Sequence, residues 1–328
     1  MMNDTMDALW WSYQRLNPDI RPFLEYCNIF PRRYKLRRDD LVHLWTAHGF
    51  VKTNNATNDV EDEAERYINE LLSCSFLQPE DLIDKVTGSD YFRIENGRSQ
   101  RQGWKGDVPR DVRHLFVRNY DAKLITEKIL ELENLRTLII YVVEDGTRVE
   151  EKVIESICKM FPKLRVLAVA FSWEDGEIRE DDKFSVPKSI SLLKHLRYFS
   201  FRMELHCTVI LPRTLTKLHH IQVLDFGDGK LLEFTFADPI NLGHIFCSGM
   251  EFPNIGRLRD LNMFRGSLSI HGLENVESKE EALEANLAAK ERLTNLELSW
   301  GGGYGTRCSP EIEAEVLEGL WPVPSRGT

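Results

Sequence analysis

The chain has 328 residues, enough for two domains or for one domain with an elongated array, since single cores stop growing at about 250 to 300 residues. Its 42% hydrophobic and 29% charged content is that of an ordinary water-soluble chain, and no run approaches the ~18 apolar residues of a membrane helix. The formal net charge of -10 argues against a chain whose whole surface is built to bind nucleic acid.

The N-terminus, MMNDTMDALWWSYQRL, has neither a basic start nor an apolar stretch of useful length, so a secretory signal is not expected and the chain is placed in the cytosol. The six cysteines, at 27, 74, 158, 207, 247 and 308, form no CxxC pair and are read as reduced thiols. The segment ALWWSYQRLNPDIRPFLEYC offers two short helices parted near Asn17-Pro18, with Pro22 in a first turn.

Next comes NIFPRRYKLRRDDLVHLWTAHGF, with five cations in seven positions: Arg32, Arg33, Lys35, Arg37 and Arg38. Asp39 precedes Leu41, Leu44, Trp45 and His48 at helical spacing, and Gly49 ends the run, which predicts a capped amphipathic helix. A further helix is expected over DVEDEAERYINELLSCSFL, where acids fill the first turn and Val60, Ala64, Tyr67 and Leu71 share a face.

From residue 130 onward one pattern recurs: apolar, two variable, apolar, one variable, apolar. It is met by Leu135-Leu138-Ile140, Leu164-Leu167-Val169, Leu196-Phe199-Phe201, Ile221-Leu224-Phe226, Leu242-Ile245-Cys247, Leu258-Leu261-Met263 and Leu293-Leu296-Leu298. Successive starts lie 16 to 35 residues apart, mostly near the ~20 to 29 residue period of leucine-rich repeats. The last two apolar positions belong to a short strand and point into a core shared with neighbouring repeats. The alternate residues Thr137, Ile139, Tyr141, Val166, Ala168, Ala170, Tyr198, Ser200 and Arg202 are therefore expected on the concave side, as a recognition surface. In SLSIHGLENVESKEEALEANLAAKERLTNLELSW, Ser278 should cap a helix over Glu280 to Ala289. The following GGGYG lacks the GK[ST] ending of a phosphate loop, and His219-His220 has no metal-ligand spacing. No catalytic motif is present, so an enzyme is not expected.

Ser12-Tyr13, Tyr26-Cys27, Ile29 to Pro31, Tyr34, the run Leu41, Leu44, Trp45, Ala47, Gly49, Phe50, and YINELLSCSFLQ together resemble the winged-helix segment of plant nucleotide-binding, leucine-rich-repeat disease-resistance proteins of the coiled-coil type. The phrase from Ser267 to Trp300 resembles their repeat region. The resemblance implies an α+β chain: a small helical winged-helix domain over residues 1–98, then an irregular leucine-rich-repeat α/β solenoid over 99–328, incomplete at its C-terminus.

In that family Phe30, Pro31, Leu44, Trp45, Gly49 and Phe50 would form an internal packing motif, docking the basic turn on a nucleotide-binding domain. The concave residues would meet a pathogen effector or a guarded host protein. Asp81 would be the remnant of a nucleotide-sensing motif, with ADP or ATP expected only in full-length relatives and no cofactor or metal here. The chain then reads as a truncated receptor that acts by recognition and autoinhibition, with no nucleic-acid partner. Two other readings stay open: a nucleic-acid-binding winged helix using the five cations, and a leucine-rich-repeat adaptor such as a ubiquitin-ligase substrate receptor.

Overall fold

A computed structural model describes residues 11–31, 34, 38–51, 60–74, 90–95, 106–118, 129, 131–142, 151–171, 183–203, 208–225, 230–234, 244–246, 250–251, 255–260, 266–271, 273–290, 293–298, 300 and 309–321. Three helices open the chain: α1 (Arg21–Cys27), α2 (Arg38–His48) and α3 (Val60–Ser73), after a helical turn at 11–15. Pro22 sits in the first turn of α1, where its missing N–H costs nothing. Gly49 ends α2 with φ +71, the left-handed conformation that suits glycine at a helix stop. The three helices close on one another through Phe23, which meets Trp45 of α2 edge-on at 4.7 Å and Tyr67 of α3 at 4.8 Å.

Among the described residues after them, the strands form two parallel sheets. A seven-stranded sheet runs in the order β1 (Tyr91–Glu95), β2 (His114–Arg118), β3 (Thr137–Val142), β4 (Val166–Phe171), β6 (Tyr198–Met203), β8 (Val223–Asp225) and β10 (His244–Phe246). A second sheet of six strands runs β5 (Lys183–Ser185), β7 (Thr208–Leu211), β9 (Lys230–Phe234), β11 (Met250–Glu251), β12 (Gly266–His271) and β13 (Leu293–Leu298). In the middle of the chain each turn of the backbone contributes one strand to each sheet, so neighbours in a sheet are spaced by one repeat.

The register explains why the apolar pattern recurs. His114, Thr137, Val166, Tyr198 and Val223 are lateral partners across five strands, and so are Leu115, Leu138, Leu167, Phe199 and Leu224. The second row, with Val117, Ile140, Val169 and Phe201, faces the second sheet and joins Val209, Leu211 and Ile270 in one core. Phe201 stacks on Phe184 of β5 at 4.0 Å across the two sheets. Beside the first rungs that layer is helical instead: α4 (Glu151–Met160) buries Val153, Ile154, Ile157 and Cys158.

Short 3-10 helices at Lys188–Leu192 and Arg213–Lys217 follow β5 and β7, each preceded by a proline in extended conformation that cannot prolong the strand pairing. Near the end, α5 (Lys279–Glu284) and α6 (Pro310–Leu320) pack together because Gly319 has no side chain: a Cβ there would lie 2.7 Å from the Ala282 Cβ and 2.8 Å from the Lys279 carbonyl oxygen.

Several expectations are modified. Two rungs precede the first recognised repeat. One is β1, so the sheet reaches into the span of residues 1–98 read as the winged-helix segment. The helix expected over Glu280 to Ala289 is capped by Ser278, whose Oγ accepts from the Glu281 N–H, but it stops at Glu284 because Asn286 takes a left-handed conformation with φ 49. Leu293–Leu298 forms a strand, yet it pairs with β12 in the second sheet. The pattern Leu258-Leu261-Met263 begins in a 3-10 helix, Ile255–Asp260, and its remainder lies outside the described residues. Among the described residues no helix is long and apolar enough to cross a membrane.

A candidate docking site between the helices and the sheet

The outer row of the seven-stranded sheet does not face solvent. Phe116, Ile139, Val166, Tyr198 and Val223 belong to a second core with α1, α2 and α3, whose centre is Tyr26, Phe23, Trp45 and Ile29. The alternation of β-strand side chains thus serves two cores at once, a mainly aliphatic one behind the sheet and a mainly aromatic one in front.

Of the residues expected to line a recognition surface, Thr137, Ile139, Val166, Tyr198 and Ser200 are buried, while Tyr141, Ala168, Ala170 and Arg202 are half-buried. They share the expected face, which the helices cover, with α2 lying against β4 and β6. The expected packing motif lies on the helical side of this seam and along its edge. Trp45 and Leu44 are buried in the helical core, and Pro31 is buried beside Phe30. Phe30 and Tyr34 stack at 5.4 Å and reach across to Phe116 at 6.2 and 5.5 Å, and Tyr34 also meets Tyr141 at 5.5 Å. Phe50, half-buried, stacks on His48 at 5.1 Å.

Polar groups tie the seam at both ends of α2. At its C-terminus the Arg165 Nη1 donates to the His48 carbonyl at 3.1 Å, and the Arg197 Nη1 to the Ala47 carbonyl at 3.5 Å. These are carbonyls left without helical partners at a helix end, where the macrodipole favours cations. Gly49 belongs to the same contact, since a Cβ there would lie 3.1 Å from Arg197 Nη1. Beside it, the Thr137 Oγ1 lies 2.8 Å from His48 Nε2 and 3.0 Å from His114 Nδ1. A hydroxyl has one proton, so it donates to one imidazole and accepts from the other. Burial holds the His114 pKa down to about 3, helped by Arg136, Arg113 and Arg165. His48 is likewise held well below its usual value by burial, then by His114 and Arg165. Both rings are neutral at physiological pH.

At the N-terminal end of α2, Arg202 of β6 bridges two carboxylates. Its Nη1 and Nη2 donate to Asp40 at 2.9 and 2.5 Å, and its Nε donates to Asp225 of β8 at 2.7 Å. Asp225 also accepts from the Tyr198 hydroxyl at 3.1 Å and the Ser200 hydroxyl at 3.3 Å. Burial works against the charge on Arg202, but Asp225 and Asp40 outweigh it and hold the guanidinium firmly protonated. The sequence pattern marked Arg202 alone; its two partners come from segments 162 and 23 residues away, which no local spacing connects.

The cationic turn bears differently on the open alternatives. Arg32, Arg33, Lys35 and Arg37 lie outside the described residues, as does Asp81. Arg38 pairs with Glu65 of α3 and donates to Asn69 Oδ1 at 2.8 Å. The apolar face of α2 is spent inside the molecule, between α1 and α3 on one side and the sheet on the other. Among the described residues no cluster of three or more metal-ligating side chains occurs.

Comparison with known proteins agrees with this two-part organisation. Residues 29–96 match the model of the disease resistance protein winged helix domain, and residues 255–325 match that of the R13L1/DRL21 leucine-rich repeats. The homologues are plant disease resistance proteins aligned over nearly the whole chain. The putative disease resistance proteins RGA4 and RGA1 of Solanum bulbocastanum are 29% and 28% identical over 354 and 347 residues, covering 98% and 97% of this chain and 32% of each relative. The putative disease resistance RPP13-like protein 1 of Arabidopsis thaliana is 25% identical over 368 residues, covering 98% of this chain and 34% of its own length. The chain therefore spans about a third of the length of these curated relatives.

Proposed function

We propose that this chain serves plant defence as the winged-helix and repeat portion of an immune receptor, and that it acts by binding rather than by catalysis. The repeats form an irregular leucine-rich-repeat solenoid over residues 99–328 whose inner face holds the winged-helix segment, residues 1–98, in a resting arrangement. The observation that carries this reading is the seam itself: a sheet face of the kind repeat proteins use for recognition is covered by α2 through an aromatic core and charged contacts at both helix ends. A ligand can shift such an equilibrium only through different affinities for the covered and uncovered states. A pathogen protein, or a host protein it modifies, that binds the uncovered inner face would therefore release the winged helix. Nucleotide binding by longer relatives would add a second input through the same helical segment.

The test is expression of the wild-type chain and of Val166→Arg in leaf tissue. The substitution places a charge in the centre of the seam. The reading predicts that the variant captures plant proteins that the wild type does not, or provokes a defence response where the wild type is silent. Identical interactomes and responses would contradict it.

A further inference from the structure

The three-residue charge cluster at the N-terminal end of α2 has an arrangement beyond simple pairing. Asp225 is fixed from the sheet side by three donors, the Tyr198 and Ser200 hydroxyls and the Arg202 Nε. The sheet thus presents a preoriented guanidinium: its Nε and Nη2 lie on Asp225, its Nη1 points to Asp40, and Nη2 is shared between the two carboxylates. Asp40 is the only member that belongs to the helical part, and it reaches Arg202 from the first turn of α2. The two carboxylates share one cation and meet at its Nη2, so docking brings two negative charges to adjacent edges of a single guanidinium.

We infer that Arg202 is a polarity-setting latch for the winged helix: with its charge present the Asp40 end of α2 is drawn onto the sheet, and with its charge removed the same end is repelled by Asp225. The inference rests on the reading that α2 docks reversibly, and it specifies what regulates that docking. A bridge of this kind differs from an ordinary ion pair in its dependence on the third member. In a two-member pair, losing either partner removes one attraction. Here, loss of Arg202 leaves Asp40 facing Asp225 across a poorly solvated seam, where like charges repel more strongly than in water. Loss of Asp40 merely leaves Arg202 on Asp225, already satisfied. Any event that neutralises or draws away the Arg202 guanidinium, such as an acidic group of an incoming partner competing for it, would therefore push the helix off and not just stop holding it.

Hydrogen exchange of the full chain, read by mass spectrometry on peptides from α2 and from α4, tests this. The expected pattern is non-additive. Arg202→Gln speeds α2 exchange about tenfold or more. Asp40→Asn alone speeds it less. The double variant Arg202→Gln/Asp40→Asn returns toward the wild-type rate because the repulsion has gone, and the charge exchange Arg202→Asp/Asp40→Arg restores protection further. A double variant that exchanges as fast as Arg202→Gln, or faster, overturns the latch. The underlying docking reading fails separately: if α2 in the wild type exchanges only as fast as α4, the helix never opens on its own, whatever the variants do.

Discussion

The two cores flanking the seven-stranded sheet differ in kind. Behind the sheet, Leu115, Leu138, Leu167, Val169 and their neighbours make a mainly aliphatic filling around Phe199 and Phe201, the sort of contact that has no alternative state in water. In front of it, Tyr26, Trp45, Phe116, Val166 and Tyr198 share space with His48, His114, Thr137, Arg165, Arg202 and Asp225. Aromatic bodies with polar edges, and charges whose sheet-side partners stay in place, suit a surface that is covered at one time and wet at another. The lesson is that one strand can serve both purposes, because successive residues look to opposite sides.

The sharpest way to separate the two is to cut into each. Leu138→Ala, behind the sheet, is expected to cost about 2 to 5 kcal/mol, and chemical denaturation should show the loss throughout the chain. In front, Gly49→Ala forces a side chain into a positive-φ position 3.1 Å from Arg197 Nη1. It should cost about 1 kcal/mol or somewhat more, confined to α2 and the contacts around it. Equal effects of both variants on strand exchange would erase the distinction.

Acid probes the seam more gently. His48 and His114 are held below the ordinary histidine value in the folded chain, so from about pH 6.5 downward, for His114 as far as about pH 3, the unfolded state binds protons that the folded state does not. Stability is therefore full above about pH 6.5 and declines as pH falls, by at most about 1.4 kcal/mol per pH unit for each ring. In His114→Gln, which keeps a polar group beside Thr137, unfolding midpoints measured between pH 7.5 and 5.5 should slope less steeply than in the wild type. The smallest effect belongs to Arg38→Ala, whose partner Glu65 is itself partly exposed; a change below about 1 kcal/mol is expected.

How much of this was legible beforehand varies with the range of the interaction involved. The alternation in Leu135-Leu138-Ile140 and its counterparts is local, and it assigned the two faces of β3, β4 and β6 residue by residue. The rung at β2 carries the same spacing, Val112-Leu115-Val117, but lies before residue 130, from which the recurring pattern is read. The second sheet also had a signal, a short run closed by proline at Val186-Pro187 and again at Leu211-Pro212, each three residues before a buried Ile190 or Leu215. The end of α5 was not legible, since asparagine is tolerated in a helix and only the left-handed turn at Asn286 stops it.

The candidate site was half legible. The motif from Phe30 to Phe50 marked an internal packing element, and the inner-face residues marked a binding surface. That these two meet is a long-range fact carried by contacts such as Arg202 with Asp40, and no periodicity encodes it.

Val166 and Leu167 offer the most direct test, because they are neighbours on β4, point to opposite faces and are both fully buried, the first only by virtue of the docked helices. Each is replaced by cysteine in turn, and alkylation of the native chain is followed at that site by mass spectrometry. Docking predicts that Val166→Cys is protected many-fold relative to the denatured chain, approaching Leu167→Cys. Labelling of Val166→Cys at the rate of an exposed thiol, with Leu167→Cys still protected, would show an open face and contradict the account.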